Sequence, residues 1–325
     1  MFGHRLLLDN FQNRIQLGHE RRQFLRKTGG LAVGMAGAMM LGADGKAYAQ
    51  AESGPTEMGG ALTDEEILNF ALNLEYLEAQ FYQYAANGVG LPQSMLTGTG
   101  TQGAIAGGMP ACLTDPVVRA YAKEIAKDEM EHVSFLRSAL GSAAIAMPAI
   151  DISGTDPNGA FSAAARAAGL VANGVAFNPY ASDDDFLLGA FIFEDVGVTA
   201  YAGASPLVSN KTYLQAAADI LAVEAYHAGL IRTTLYARGT AMPDLRIDAD
   251  AISHARDTLN GSIGNDQGIS TSTSGVANIV PANSNGMVYN RTPGQVLNIV
   301  YLTPNAASQG GFFPKGVNGT LVMSA

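Results

Sequence analysis

Glu129-Met130-Glu131-His132 and Glu224-Ala225-Tyr226-His227 repeat one short pattern, a glutamate followed three residues later by a histidine. Three residues is just under one turn of an α-helix, so on a helix the carboxylate and the imidazole project from the same face. Such a pair offers an oxygen and a nitrogen to one divalent cation. Glu194 is a third candidate. The apolar run Phe186 to Phe193 precedes it and Val196-Gly197-Val198 follows soon after. A carboxylate in such a stretch is costly to bury unless it is paired, hydrogen-bonded or metal-bound. Seven residues after Glu194 stands Tyr201, and seven residues after Glu75 stands Tyr82. Seven residues is two turns, so each tyrosine lies on the face of its glutamate. The chain thus carries one unit twice: a Glu-x6-Tyr stretch, then a Glu-x-x-His stretch.

Together Glu75, Glu129, His132, Glu194, Glu224 and His227 make a candidate set of six ligands. Four carboxylates balance the charge of two divalent metal ions, and two imidazoles complete the coordination while leaving positions for oxygen ligands. Hard oxygens with imidazole suit iron or manganese, and the pattern does not choose between them. Tyr82 and Tyr201 are candidates to hydrogen-bond the ligand carboxylates, with ordinary core tyrosines as the alternative. Glu78 lies near the face of Glu75 and is either an alternative or an additional ligand. Glu75 is preferred because only it has a tyrosine two turns on. Glu124, Asp128, Glu131 and Asp195 fall off the inferred faces and read as solvated or salt-bridged. His254 has no glutamate at this spacing and reads as a surface or capped histidine.

Four helices must position these residues. The first opens at Thr63-Asp64-Glu65-Glu66, where Thr63 caps and Glu66 holds the capping-box position, and runs to about Ala86 before Asn87-Gly88. A Gly/Thr-rich stretch from Thr97 to Gly108 reads as a flexible loop. The second helix opens at Thr114-Asp115-Pro116 and stops near Gly141. A connection over 142–182 follows, with a short helix expected over 159–172. Ser182-Asp183-Asp184-Asp185 starts the third helix, which runs from Phe186 to about Ala204. The fourth runs from near Asn210 to about Ala237. Residues 241–325 are rich in Gly, Asn, Ser and Thr, with helices expected at 247–258 and 292–302 and ordered loop elsewhere.

The N-terminus reads as an export signal. Arg21-Arg22-Gln23-Phe24-Leu25-Arg26-Lys27 has the twin-arginine form, Leu31 to Leu41 is apolar but too short to span a bilayer, and Ala47-Tyr48-Ala49 offers a cleavage site. Residues 1–49 are therefore expected to be removed and 50–60 to be a linker, giving a periplasmic or secreted protein. Removal takes His4 and His19, so two of the three remaining histidines are in the repeated pattern. It also takes seven of the 19 Lys/Arg and three of the 29 Asp/Glu, which moves the formal net charge from −10 to −14. So acidic a protein is a poor partner for nucleic acid or anionic lipid. The single Cys112 allows no internal disulfide. No stretch beyond the signal reads as an integral membrane span.

With these residues in place, the chain resembles the ferritin-like superfamily, and more closely the exported ferritin-like proteins grouped with plant desiccation-related proteins. The resemblance is carried by Ile67 to Tyr82, by Asp128 to Val133 with Leu136-Arg137, and by Gly197-Val198-Thr199-Ala200-Tyr201. In the tail it is carried by Gln295 to Tyr301 and by Gly310-Gly311-Phe312-Phe313-Pro314. It implies an all-α fold: a ferritin-like four-helix bundle over 61–240 with a long crossover between its second and third helices, and a loop-rich C-terminal extension, 241–325, packed on it as part of the same module. The six ligand candidates match the pattern of dimetal members. The function expected is redox chemistry with dioxygen or peroxide in an oxidase-, peroxidase- or catalase-like manner. The alternative is a non-catalytic stress or desiccation-related envelope protein whose metal site is structural or vestigial. A homo-oligomer is compatible with either.

Overall fold

The computed structural model describes residues 62–261, 264–271 and 276–325. The expected signal and linker lie outside the described residues. Four long helices form the frame: α1 (Asp64–Asn87), α2 (Pro116–Leu140), α4 (Asp183–Ala204) and α5 (Lys211–Arg238), with α3 (Ala160–Ala167) in the crossover and α6 (Asp244–Leu259) and α7 (Pro293–Val300) in the tail. α1 packs along α2 and α4 along α5, so the bundle is two helix pairs joined by the crossover.

The helix ends follow local chemistry. Thr63 and Glu66 make a reciprocal capping box, and Gly88 closes α1 in the left-handed region at φ 72°. Asp115 caps α2 through Val117 N, with Pro116 in the first turn. Ser182 caps α4 through Asp185 N. That helix begins at Asp183 rather than Phe186, because the three aspartates occupy the first turn, where the helix dipole favours negative charge. Asn210 caps α5. The crossover helix is shorter than 159–172, since Gly169 sits at φ 80° just past its end.

The stretch 97–108 differs from its expectation. Instead of a flexible loop it is tied to the crossover by a two-stranded parallel sheet, β1 (Ile105–Gly107) and β2 (Ile150–Ile152), with Ile105 opposite Ile150. Its glycines serve close approach. A Cβ on Gly103 would stand 2.0 Å from Ala149 N.

α4 is the core helix, buried along almost its whole length. Among the described residues only Asp183–Leu207 is long and apolar enough to cross a membrane, and its apolar surface is covered by the other elements. The expectation that no such stretch exists is corrected in composition alone: the helix is hydrophobic on all sides because protein surrounds it. Phe81 from α1, Phe161 from α3, Phe193 from α4 and Phe312 from the tail interlock, with Phe193 and Phe312 ring centres 4.9 Å apart.

The tail is also held by buried charge. Asp195 Oδ2 on α4 accepts from Arg232 on α5 and Arg256 on α6, each at 2.7 Å. Arg256 and Arg291 in turn donate to Asp266 at 2.9 and 2.6 Å. The described residues form one compact unit.

Candidate metal centre

Each of the four long helices turns ligand-type side chains toward one point. Glu75 and Glu78 come from α1, Glu129 and His132 from α2, Glu194 from α4, and Glu224 and His227 from α5, and all seven are buried. Their atoms converge as two sets. Glu75, Glu129, His132 and Glu224 form one, and Glu194, Glu224 and His227 the other, with Glu224 common to both. His132 Nδ1 lies 3.2 Å from Glu75 Oε2, 3.5 Å from Glu129 Oε2 and 3.7 Å from Glu224 Oε1. His227 Nδ1 lies 3.1 Å from Glu129 Oε1 and 3.6 Å from Glu194 Oε2. Glu129 therefore presents one oxygen to each imidazole, and Glu75 and Glu194 stand at opposite ends.

These contacts are not a hydrogen-bonded network closed on itself. Both oxygens of Glu129, Oε2 of Glu194, Oε2 of Glu224 and Nδ1 of His227 are buried with no hydrogen-bond partner. Nδ1 of His227 is close to Glu129 Oε1 without the alignment of a hydrogen bond. Buried polar atoms left this way are expensive, and a shared cation satisfies all of them together. The residues present fit a divalent metal ion in type and placement.

Further groups position the ligands. The Tyr82 hydroxyl donates to Glu194 Oε1 and the Tyr201 hydroxyl donates to Glu75 Oε1. Burial and the carboxylate it faces hold each phenol protonated, so each acts only as a donor. Each terminal glutamate thus has one oxygen occupied and the other turned inward. Asp128 Oδ2 lies 3.4 Å from His227 Nε2, on the far side of the ring from the carboxylates. Asp128 is partly exposed and salt-bridged to Lys127, as expected, and it also contacts a ligand-type histidine. Asp195, by contrast, is buried and paired with two arginines. Glu124, Glu131 and His254 remain exposed, with Glu131 bonded to Lys127.

Glu75 belongs to the converging set and Glu78 to neither set. Glu78 is still close, since a Cβ on Gly197 would stand 2.3 Å from Glu224 Oε2 and 3.5 Å from Glu78 Oε1. Gly197 is therefore the space in which the Glu224 carboxylate sits. Nothing in the local sequence announces this, because the need arises from a side chain on another helix.

Burial and crowding set the protonation of the metal-free site. Burial raises Glu75 to about 7 and Glu194 to about 8. It lifts Glu78 and Glu224 well above the usual carboxylate range, with the neighbouring carboxylates adding to the effect. For Glu129 burial pushes the same way, yet the two imidazoles beside it prevail and hold it below that range. For the histidines burial favours the neutral ring but the carboxylates prevail, taking His132 up to about 11 and His227 up to about 9. The metal-free cluster stores protons on carboxyls and imidazoles that a cation must displace.

Comparison with known proteins agrees with this arrangement. The family model for the ferritin-like domain matches residues 63–237, which span all four long helices. The chain belongs to the ferritin-like family. It is 28% identical over 273 residues to the ferritin-like catalase Nec2 of Nesocodon mauritianus, covering 79% of this chain and 84% of that protein. It is 27% identical over 272 residues to the desiccation-related protein PCC13-62 of Craterostigma plantagineum, covering 79% and 83%. No solved structure gives a significant match. Both alignments are longer than the four-helix region, so this ferritin-like chain shares more than its bundle with these relatives.

Proposed function

We propose that this chain is an exported dimetal-carboxylate protein that acts on peroxide or dioxygen, with catalase-like turnover of hydrogen peroxide as the reading favoured. The observation that carries it is the set of buried, unpartnered oxygen and nitrogen atoms shared between two overlapping Glu/His groups. Similarity to a ferritin-like catalase supports peroxide over other small oxygen species. Export by the twin-arginine route is part of the proposal and rests on the N-terminal sequence.

In this reading Glu75, Glu129, His132, Glu194, Glu224 and His227 would hold the metal ions. Iron or manganese held there would supply two-electron redox chemistry. The protein supplies position, dryness and protons. Tyr82 and Tyr201 hold the outer carboxylates in place. Asp128 fixes the ring of His227 from its Nε2 side. The aromatic cluster around Phe81 and Phe193 keeps bulk water from one end. Glu78, protonated in the metal-free site and outside both ligand sets, is the carboxyl placed to give or take a proton at its unpartnered Oε2.

The test is oxygen release from hydrogen peroxide by metal-loaded protein, beside a Glu129→Ala/His227→Ala variant carried through the same loading. Wild-type turnover well above the variant is expected. Equal rates refute catalysis at this site.

A second reading is favoured by the similarity to a desiccation-related protein. In it the protein is a non-catalytic stress protein of the cell envelope and the cluster is structural or vestigial. Protein from its native compartment would then carry fewer than about one metal per chain, since an intact site takes up its metal as the protein folds.

A further inference from the structure

Of the side chains that converge at the metal centre, His132 and Glu78 are the most exposed, at 8% and 6%. Glu78 borders a cavity of about 10 Å³ between α1, α4 and the tail, and every residue of its wall is buried. The wall includes Leu74 and Glu78 from α1, Val196 and Gly197 from α4, and Ile299 and Phe312 from the tail. Among the described residues of this wall only Glu78 has a polar side chain. Its Oε1 lies 3.5 Å from the position a Cβ would take on Gly197, and Glu224 Oε2 lies 2.3 Å from the same point. The bare backbone of Gly197 thus brings the cavity up against the Glu224 carboxylate of the metal centre.

The tail side of this wall is held in place. Phe312 N donates to Val300 O, and Asp151 N donates to Phe312 O, both at 2.9 Å. The Phe312 ring packs on those of Phe193 and Phe161, with centres 4.9 and 5.2 Å apart. A close-packed wall does not widen freely to suit a larger guest. About 10 Å³ is room for one molecule of the size of water. Hydrogen peroxide is only slightly longer than that, whereas an organic hydroperoxide adds a whole hydrocarbon group.

We propose that Ile299 and Phe312 are specificity-determining residues. With Glu78 they make a chamber beside the metal centre that takes one water-sized hydrogen-bonding molecule, hydrogen peroxide in class, and excludes organic hydroperoxides. Glu78 supplies the hydrogen bond and the tail supplies the size limit, which gives the C-terminal extension a part in substrate choice. The inference rests on the reading that the metal centre acts on peroxide.

Ile299→Ala takes more carbon from the wall than the ethyl group of ethyl hydroperoxide adds to a guest. Crystals of zinc-loaded wild type and Ile299→Ala, in which the metal has no redox chemistry, are soaked in hydrogen peroxide and, separately, in ethyl hydroperoxide. The wild type is expected to show one water-sized molecule hydrogen-bonded to Glu78 after either soak. Ordered ethyl hydroperoxide is expected in the chamber of Ile299→Ala only. In solution, ethyl hydroperoxide is expected to inhibit oxygen release from hydrogen peroxide by iron- or manganese-loaded Ile299→Ala about tenfold more strongly than by wild type. Ethyl hydroperoxide ordered in the wild-type chamber, or an empty wild-type chamber after the hydrogen peroxide soak, would overturn the proposal. Equal inhibition of the two proteins would also overturn it and would move substrate entry to the side of His132. If wild type releases no more oxygen than Glu129→Ala/His227→Ala, the peroxide reading fails, while the soaks still decide the chamber. The wild-type soaks do so even where Ile299→Ala fails to fold.

Discussion

Tyr82 of α1 donates its hydroxyl to Glu194 of α4, while Tyr201 of α4 donates to Glu75 of α1. The two hydrogen bonds cross the bundle in opposite senses. The later residue of each Glu-x6-Tyr pair meets the earlier residue of the other, as two helices running antiparallel require. Each bond holds one terminal carboxylate from the opposite helix and leaves its second oxygen facing the cluster.

The crossed tyrosines predict a matched pair of defects. Tyr82→Phe and Tyr201→Phe keep the rings and remove only the donors. Each is expected to weaken metal binding by about 10- to 100-fold, the usual cost of losing a group that orients a ligand. Chelator competition against the folded variants measures it. Equal affinities in wild type and both variants would show that the hydroxyls do not position the glutamates.

Gly197→Ala separates helix preference from site geometry. In a helix interior this change normally stabilises by roughly 0.5–1 kcal/mol. Here the added Cβ would stand 2.3 Å from Glu224 Oε2, so the shared carboxylate must move. The variant is expected to keep its helical circular dichroism and lose metal stoichiometry. Normal metal uptake would mean that Glu224 has another seat.

The metal-free protein should lose stability as pH rises. Glu75 and Glu194 go from about 4.5 unfolded to about 7 and 8 folded, and His227 and His132 from about 6.5 to about 9 and 11. In every case the folded state binds more protons, so its advantage is complete below the unfolded value and is lost as pH climbs through the folded one. The melting temperature of metal-free protein is expected to fall from pH 5 to pH 9. Metal-loaded protein should show less change, because the cation has already displaced these protons. Calorimetry in buffers of different ionisation enthalpy should show protons released on metal binding.

The buried arginine–aspartate chain makes the tail a part of the fold. Asp195→Ala leaves Arg232 and Arg256 without their common partner and is expected to cost about 3–5 kcal/mol, the penalty of breaking a buried pair from one side. Lys127→Ala, which removes an exposed pair with Glu131, is expected to cost below about 1 kcal/mol. Urea denaturation of both variants gives the comparison.

The ligand types were legible because coordination chemistry limits them and helical spacing places them on one face. Glu129 with His132 and Glu224 with His227 needed nothing beyond the repeat of a turn. The helix starts at Thr63 and Ser182 were legible for the same reason: their capping partners lie within four residues. What escaped depends on distant neighbours. Gly197 is small because of Glu224, Asp128 matters because His227 reaches it from α5, and Gly103 admits the backbone of Ala149 rather than providing freedom. The crossing of Tyr82 and Tyr201 likewise required the relative direction of α1 and α4, which neither helix carries in its own sequence.

The most direct test of the central claim is the metal content of wild-type protein purified from its native compartment, measured by elemental analysis beside Glu129→Ala/His227→Ala. The account predicts about two iron or manganese ions per wild-type chain, with loss of both in the variant. Fewer than about one metal per wild-type chain, or equal content in the two proteins, would contradict it.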